Sequence, residues 1–422
     1  MKNNISPDSM VILLLCSNIG MIYQKNKDNK YKPFTDKEWI KLSQRIIKSG
    51  LGRPSSLFNL SQKDLEEYLN IPSGTAERIK YLLSRSGSLI LEIEKLSNMG
   101  IWVLTRADSV YPKKLKKTLK LQSPTILFGA GEIDILNTEG IGIVGSRDVD
   151  EKGAFFTDKL ARKCARESLA VISGGSRGVD LIAQNAALEE GGKVVAVLSD
   201  SLSKTVQKKE ILDNILKGNL LLLSAYHPNS RFSAYSALGR NKHIYGLSKY
   251  TVVSSSKAGK GGTWHGAIEN LEVGFVPLFV RKEKEVPDGN IQLIEKGGIG
   301  LDPNELESAE SLKVLLDQKV ANHFKTNEKS DYYKTHLNVN QTMDLFYIAW
   351  PFIEKVLNKP RSKQELSDLF NVEPMQMDLW IKRAYLESKI KYVDETKVIS
   401  TVFFNKDEYE DRQMNMFDLL CE

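Results

Sequence analysis

The chain is short of the features that would staple it, anchor it or give it a familiar nucleotide pocket. Its 3 cysteines, Cys16, Cys164 and Cys421, are scattered without metal-ligand spacing, and an odd number does not suggest a disulfide framework. No apolar run is long enough to span a membrane: Met10–Cys16 is too short, and Ser17-Asn-Ile-Gly follows it without a cleavage-site pattern. That run reads instead as a buried helix. The loop Lys257-Ala-Gly-Lys-Gly-Gly-Thr263 lacks the leading glycine of a Walker box, and Lys260 is followed by Gly261 rather than Ser or Thr. No Gly-x-Gly-x-x-Gly opens the first helix after a strand either. These absences weigh against secreted, membrane-spanning, P-loop and dinucleotide-binding classes, and the expectation is a cytoplasmic protein that uses no cofactor or metal.

What is present is the composition of a globular protein: 422 residues, 41% hydrophobic and 27% charged, enough chain for two or three domains. The net charge of +6 permits a polyanionic partner without requiring one. Charge is unevenly spread. Arg106, Lys113, Lys114, Lys116, Lys117 and Lys120 fall within fifteen positions, whereas residues 407–422 are mostly acidic.

The centre of the chain is Ile141 to Asp180. Ile141-Gly-Ile-Val144 breaks into Gly145-Ser146-Arg147, and Leu169-Ala-Val-Ile172 breaks into Ser173-Gly-Gly-Ser-Arg-Gly-Val-Asp180. Between them Phe156, Leu160, Ala161 and Cys164 recur at helical spacing. Strand, turn, helix, strand, turn and helix fit right-handed βαβ units, hence a parallel sheet. Glycines at a strand's carboxyl end let the backbone approach a ligand, and the following helix presents its positive end. An arginine in each turn, Arg147 and Arg177, makes phosphate the natural guest.

Two further loops end strands. Arg231–Ser248 interleaves Arg240, Lys242 and His243 with Phe232, Tyr235 and Tyr245, the mixture that suits single-stranded nucleic acid: charge for the backbone, rings for the bases. The same residues also fit a helix burying Leu238, Ile244 and Leu247. The Lys257–Thr263 loop supplies a third helix start with glycines and a cation, Lys260.

The flanks differ. Residues 1–100 read as helical, with helices expected at Ser9–Tyr23, Thr35–Lys48, Gln62–Leu69 and Thr75–Met99. Leu69-Asn-Ile-Pro-Ser-Gly-Thr75 resembles the turn of a helix-hairpin-helix or SAM-like module, with Thr75 capping the next helix. Residues 101–301 form the doubly wound, extended Rossmann-like α/β domain, and residues 302–340 a polar linker with one helix. Residues 341–405, three helices followed by a hairpin with Ser362 and Glu365 in a capping box, read as a winged helix. Residues 406–422 are an acidic tail.

The four loops in order resemble the DNA-processing protein A family, also called DprA or Smf. They are Ile143-Val-Gly-Ser-Arg147, Ser173-Gly-Gly-Ser-Arg-Gly-Val-Asp180, Gly239-Arg-Asn-Lys242 and Gly261-Gly-Thr263. The resemblance implies binding of single-stranded DNA and its delivery to the RecA recombinase, as a homodimer and without catalysis. It further implies that Gly145, Ser146 and Arg147 hold one phosphate and that Ser173, Gly174, Gly175, Arg177 and Gly178 cradle its neighbour. Arg240, Asn241 and Lys242 line a basic wall, with Lys260, Gly262 and Thr263 opposite. Gln184 stands where the family has histidine, and Ser254-Ser-Ser256 replaces an acidic residue, as in a divergent branch whose pathway is DNA uptake, phage defence or housekeeping. The alternative is a sensor or hydrolase of nucleotides from the wider superfamily, but Glu269 lies six residues beyond Thr263 where hydrolases place it three beyond. In the tail, Gln413-Met-Asn-Met-Phe417 resembles the sliding-clamp-binding peptide, with Gln413, Met416 and Phe417 as its contacts; packing of the tail against the protein is the competing expectation.

Overall fold

A computed structural model describes residues 5–21, 31–334, 345–386, 389–393 and 397–400. The chain divides into two compact units, Met1–Thr326 and Asn327–Glu422.

The first unit opens with α1 (Pro7–Cys16), α2 (Asp36–Lys48), α3 (Gln62–Leu69), α4 (Ser73–Leu83) and α5 (Ser86–Asn98). The apolar run makes α1 a central helix, with Val11 to Leu15 all buried. It ends at Cys16 rather than Tyr23, because Ser17 is extended and its hydroxyl caps the Leu13 carbonyl. The helix expected over Thr75–Met99 is two helices. At the break Arg85 turns back and donates to the Leu14 and Ser17 carbonyls, satisfying acceptors that α1's end leaves open. In the α3–α4 hairpin Asn70 takes the left-handed conformation and Pro72, not Thr75, occupies the cap position.

A nine-stranded sheet follows. Its strands are β1 (Trp102–Thr105), β2 (Ile126–Ala130), β3 (Gly140–Gly145), β4 (Ala170–Ser173), β5 (Val194–Leu198), β6 (Leu220–Ser224), β7 (Tyr250–Ser255), β8 (Leu278–Arg281) and β9 (Ile299–Leu301). The order is β1-β2-β6-β5-β4-β3-β7-β8-β9, parallel from β6 to β9, with β1 and β2 antiparallel at one edge. The helices are α6 (Lys113–Leu119), α7 (Glu151–Arg166), α8 (Val179–Glu189), α9 (Leu202–Thr205), α10 (Lys209–Leu216), α11 (Ala234–Leu247), α12 (Gly261–Val273), α13 (Asp288–Glu295), α14 (Pro303–Ser308) and α15 (Leu312–Lys334). Strand residues alternate between two cores, as the pleat demands. Val171, Val194 and Leu220 join one core with α7, α8 and the N-terminal helices. Ile172, Val195 and Leu221 join the other with α6, α11 and α12. The basic stretch is largely α6, whose Leu115 and Leu119 are buried beneath its lysines.

Two boundaries differ from the sequence reading. The core of residues 1–100 is continuous with one face of the sheet, so the two segments share one unit. The stretch after residue 301 is not a free linker: Leu306, Leu312 and Leu316 are buried in that same core. Glu167 accepts from the Leu312 backbone at 2.6 Å, fixing the start of α15.

The second unit has α16 (Leu345–Val356), β10 (Arg361–Ser362), α17 (Lys363–Phe370), α18 (Pro374–Leu386), β11 (Ile390–Tyr392) and β12 (Lys397–Ser400), the strands ordered β10-β12-β11. Its core is Phe346, Trp350, Ile353, Leu366 and Ile381. Ser362 and Glu365 form the expected capping box. On α18, Lys382 pairs with Asp378 at 2.9 Å and Arg383 lies over the Phe346 ring. Gln413, Met416 and Phe417 lie outside the described residues. Among the described residues no helix is long and apolar enough to cross a membrane.

Candidate phosphate-binding cleft

The chain winds outward from β3 through β4 and β5 to β6, then returns to the other side of β3 as β7. The turns after β3 and β7 therefore diverge, and a crevice opens at the carboxyl edge where the winding reverses. A cavity of about 660 Å³ occupies it. Its lining includes Gly145, Ser146, Arg147, Arg240, Asn241, Lys260, Gly262 and Thr263, eight of the residues that the sequence singles out.

The others support the cavity or lie elsewhere. Ser173 is buried and its hydroxyl donates to the Ile143 carbonyl at 2.7 Å, tying β4 to β3. Gly174 rests on the Arg240 guanidinium and the Asp180 carboxylate so closely that a Cβ there has no room. Gly178 has φ +81°, and a side chain on it would strike the Ser146 and Arg147 carbonyls. Arg177 is exposed and reaches Asp148 at 3.6 Å. Lys242 lines a different cavity on the other side of α11.

Arg240 departs most from expectation. It is 5% exposed, and its Nη1 donates to the Val197 carbonyl at 2.6 Å and to the Gly174 carbonyl. It is a buried strut under the second glycine turn, not part of an open wall. Burial works against its charge, and Asp180 works in its favour. Asp180 itself is held above the usual carboxylate range by burial, which the charge of Arg240 and the Ser176 backbone N–H partly offset. Asp180 thus clamps its own turn instead of capping α8, whose start has no side-chain cap.

The backbone donors are divided. The Ser146 N–H is already donated to the Ser255 carbonyl at 2.8 Å, which fixes the first turn against β7. The first turn of α12 has no side-chain cap and faces the cavity through Gly261, Gly262 and Thr263. Its unsatisfied N–H groups and positive end favour an anion there. Asn241 fixes that turn by donating to the Gly262 carbonyl at 2.9 Å.

Around the opening stand Arg147, Arg177, Lys257 and Lys260. Arg147 lies 5.5 Å over the ring of Phe232, which is 54% exposed. Asp148 sits between Arg177 and Lys257, the latter at 4.0 Å, in exposed pairs that a phosphate can replace. Asp148, Ser176, Lys257 and His265 also line or border the cavity, and the sequence reading did not assign them to it. Asp148 and Lys257 could have been found, because each adjoins a turn already identified. Among the described residues no group of His, Cys, Asp and Glu could hold a metal ion.

Residues 102–304 match the family model for DNA recombination-mediator protein A. The chain is 29% identical over 222 residues to the DNA processing protein DprA of Streptococcus pneumoniae, covering 52% of this chain and 75% of that one. The solved structure of the pneumococcal protein matches with a TM-score of 0.49 at 24% identity, over 66% of this chain and 99% of the other. The DprA of Bacillus subtilis is 27% identical over 203 residues, 47% of this chain and 67% of the relative. DNA processing protein A from Helicobacter pylori, whose structure concerns its single-stranded DNA binding mode, matches with a TM-score of 0.40 at 27% identity, over 47% and 90% of the two chains.

Proposed function

Because the chain belongs to the DprA/Smf family through its α/β domain, we propose that it binds single-stranded DNA in the cleft between β3 and β7 and processes it without chemistry of its own. One observation carries the reading: an arginine over an exposed ring, an uncapped helix start and three further cations converge on one opening. Arg147, Lys260 and the first turn of α12 hold phosphates, while Phe232 stacks on a base. A single strand satisfies both kinds of contact because its bases are free to turn toward the ring; in a duplex they are occupied with one another.

Glu269, the carboxylate on which a hydrolase reading depends, is on α12 and outside the residues lining the cavity. The proposal extends to a cytoplasmic protein that works as a homodimer and passes the strand to a RecA-type recombinase. The second unit acts as a winged helix, and residues 413–417 engage the sliding clamp. The direct test of the cleft is titration of labelled oligo-dT with the intact chain and with Arg147→Ala/Lys260→Ala. A loss of affinity beyond tenfold in the double variant supports the proposal, and equal binding refutes it. Faster recombinase filament growth on protein-coated single strands tests the partner.

A further inference from the structure

A second cavity, of about 980 Å³, lies on the opposite side of α11. Its floor includes Ala225 and Tyr226, which follow β6, so it opens at the same carboxyl edge as the cleft. The helix divides its residues between the two spaces: Leu238 and Asn241 face the cleft, and Gly239, Lys242 and His243 line the second cavity. Its volume is in the range of small-ligand sites.

The lining has a definite chemistry. Phe34, Phe128, Tyr226 and Tyr235 contribute rings, and Tyr235 is 85% exposed at the near end of α11. Lys242 and Lys32 supply positive charge, while Asp36 holds the Thr125 hydroxyl at 2.6 Å. His243 is 4% exposed, and its Nδ1 has no hydrogen-bond partner among the described residues. That nitrogen is sealed from the cavity, so the ring meets the space only through its other atoms. Burial, reinforced by Lys242 and Arg240, keeps the ring neutral, so its other nitrogen donates or accepts according to the tautomer.

We propose that this cavity is a nucleotide site: it receives an aromatic base among its rings, with the polar edge toward His243 and the phosphate at Lys242. The base requires flat apolar faces and a donor–acceptor edge, and the phosphate requires a cation at the rim; an apolar ligand would use only the rings. The choice of nucleotide rests on the reading of the neighbouring cleft as a single-strand site. Phe232 and Tyr235 stand three positions apart at the start of α11, so a strand leaving the cleft would cross that end of the helix and place a later base in the second cavity. A free nucleotide would present the same groups.

The test uses the full chain, cross-linked by light either to an oligonucleotide carrying one iodouracil base or to azidoadenosine monophosphate, with adducts located by mass spectrometry. Adducts on the peptides of Tyr226 or Tyr235 are expected. From the oligonucleotide they identify a continuing strand, and from the mononucleotide alone a free ligand. Gly239 lines only the second cavity of the two and faces the Tyr226 hydroxyl, so Gly239→Leu should remove these adducts and leave those at Phe232. Lys242→Gln, which leaves the packing of α11 intact, should lower labelling roughly tenfold. No adduct at either tyrosine with either probe overturns the inference, as do adducts that survive both substitutions. If the oligonucleotide does not bind but the mononucleotide still labels Tyr226, the reading of the cleft fails and that of the second cavity stands.

Discussion

Replacing Arg240 with alanine separates the structural account from a surface-charge account of the same residue. The side chain is 5% exposed and holds the Gly174 and Val197 carbonyls, with Asp180 alongside. Its loss leaves two buried acceptors unpaired and a buried carboxyl without its compensating charge. Removing one partner from a buried charged cluster costs roughly 3–5 kcal/mol, the orphaned carbonyls being part of that figure. At about 2–4 °C per kcal/mol, the slope for large domains, the first unit should melt roughly 6–20 °C lower. Calorimetry of the intact chain reads the shift, and oligo-dT binding well below the transition reads function separately. A double variant, Arg240→Met with Asp180→Asn, should cost less than the two single changes summed, because it removes the uncompensated charge together with its partner. A melting point within 2 °C of the parent (roughly 1 kcal/mol on the same scale) together with lost binding would refute the strut and restore Arg240 to an open wall.

Other outcomes follow from the same geometry. Arg147→Ala, at an exposed site, should weaken oligo-dT binding roughly 10- to 100-fold without moving the melting point; a fall in stability with intact binding would make it a scaffold residue. Asp148→Asn should strengthen binding several-fold by freeing Arg177 and Lys257, as judged from anisotropy titrations, and weaker binding would show that the carboxylate organises the opening. His243 is pushed down to about 3 by burial, then by Lys242 and Arg240. Its folded value lies below the unfolded one of about 6.5. Its contribution is therefore fully present above that pH and declines as the pH falls toward 3, by about 1.4 kcal/mol per unit. Urea unfolding between neutral and mildly acid pH should show this slope, and His243→Gln should flatten it.

Much of the α/β fold was legible because its strands are apolar runs, and those of β3 and β4 end in glycine turns. Val194–Leu198 needed only such a run, and the βαβ rhythm placed the turns after β3 and β4 at one edge. Eight cleft residues could be named from those turns. The error at α11 was one of helical phase. Arg240 and Lys242 are two residues apart, hence about 200° around the helix, and cannot face one cleft together. That part was calculable. The burial of Arg240 was not, since it depends on carbonyls contributed by Gly174 in the turn after β4 and by Val197 on β5, both distant in sequence. Residues 302–340 misled through their polarity: Leu306, Leu312 and Leu316 are too few to announce a packed segment, yet they complete the core.

The most direct measurement of the central claim is a competition between oligo-dT and a blunt duplex of equal length for the intact chain, followed across salt. Arg147, Arg177, Lys257 and Lys260 stand around the opening. Four phosphate contacts on a single strand correspond to a log–log slope of roughly −3, or about a 50-fold loss between roughly 50 and 200 mM salt. The account predicts that slope, with the single strand displacing the duplex at every salt concentration. Equal competition by the duplex, or single-strand binding that does not respond to salt, would contradict it.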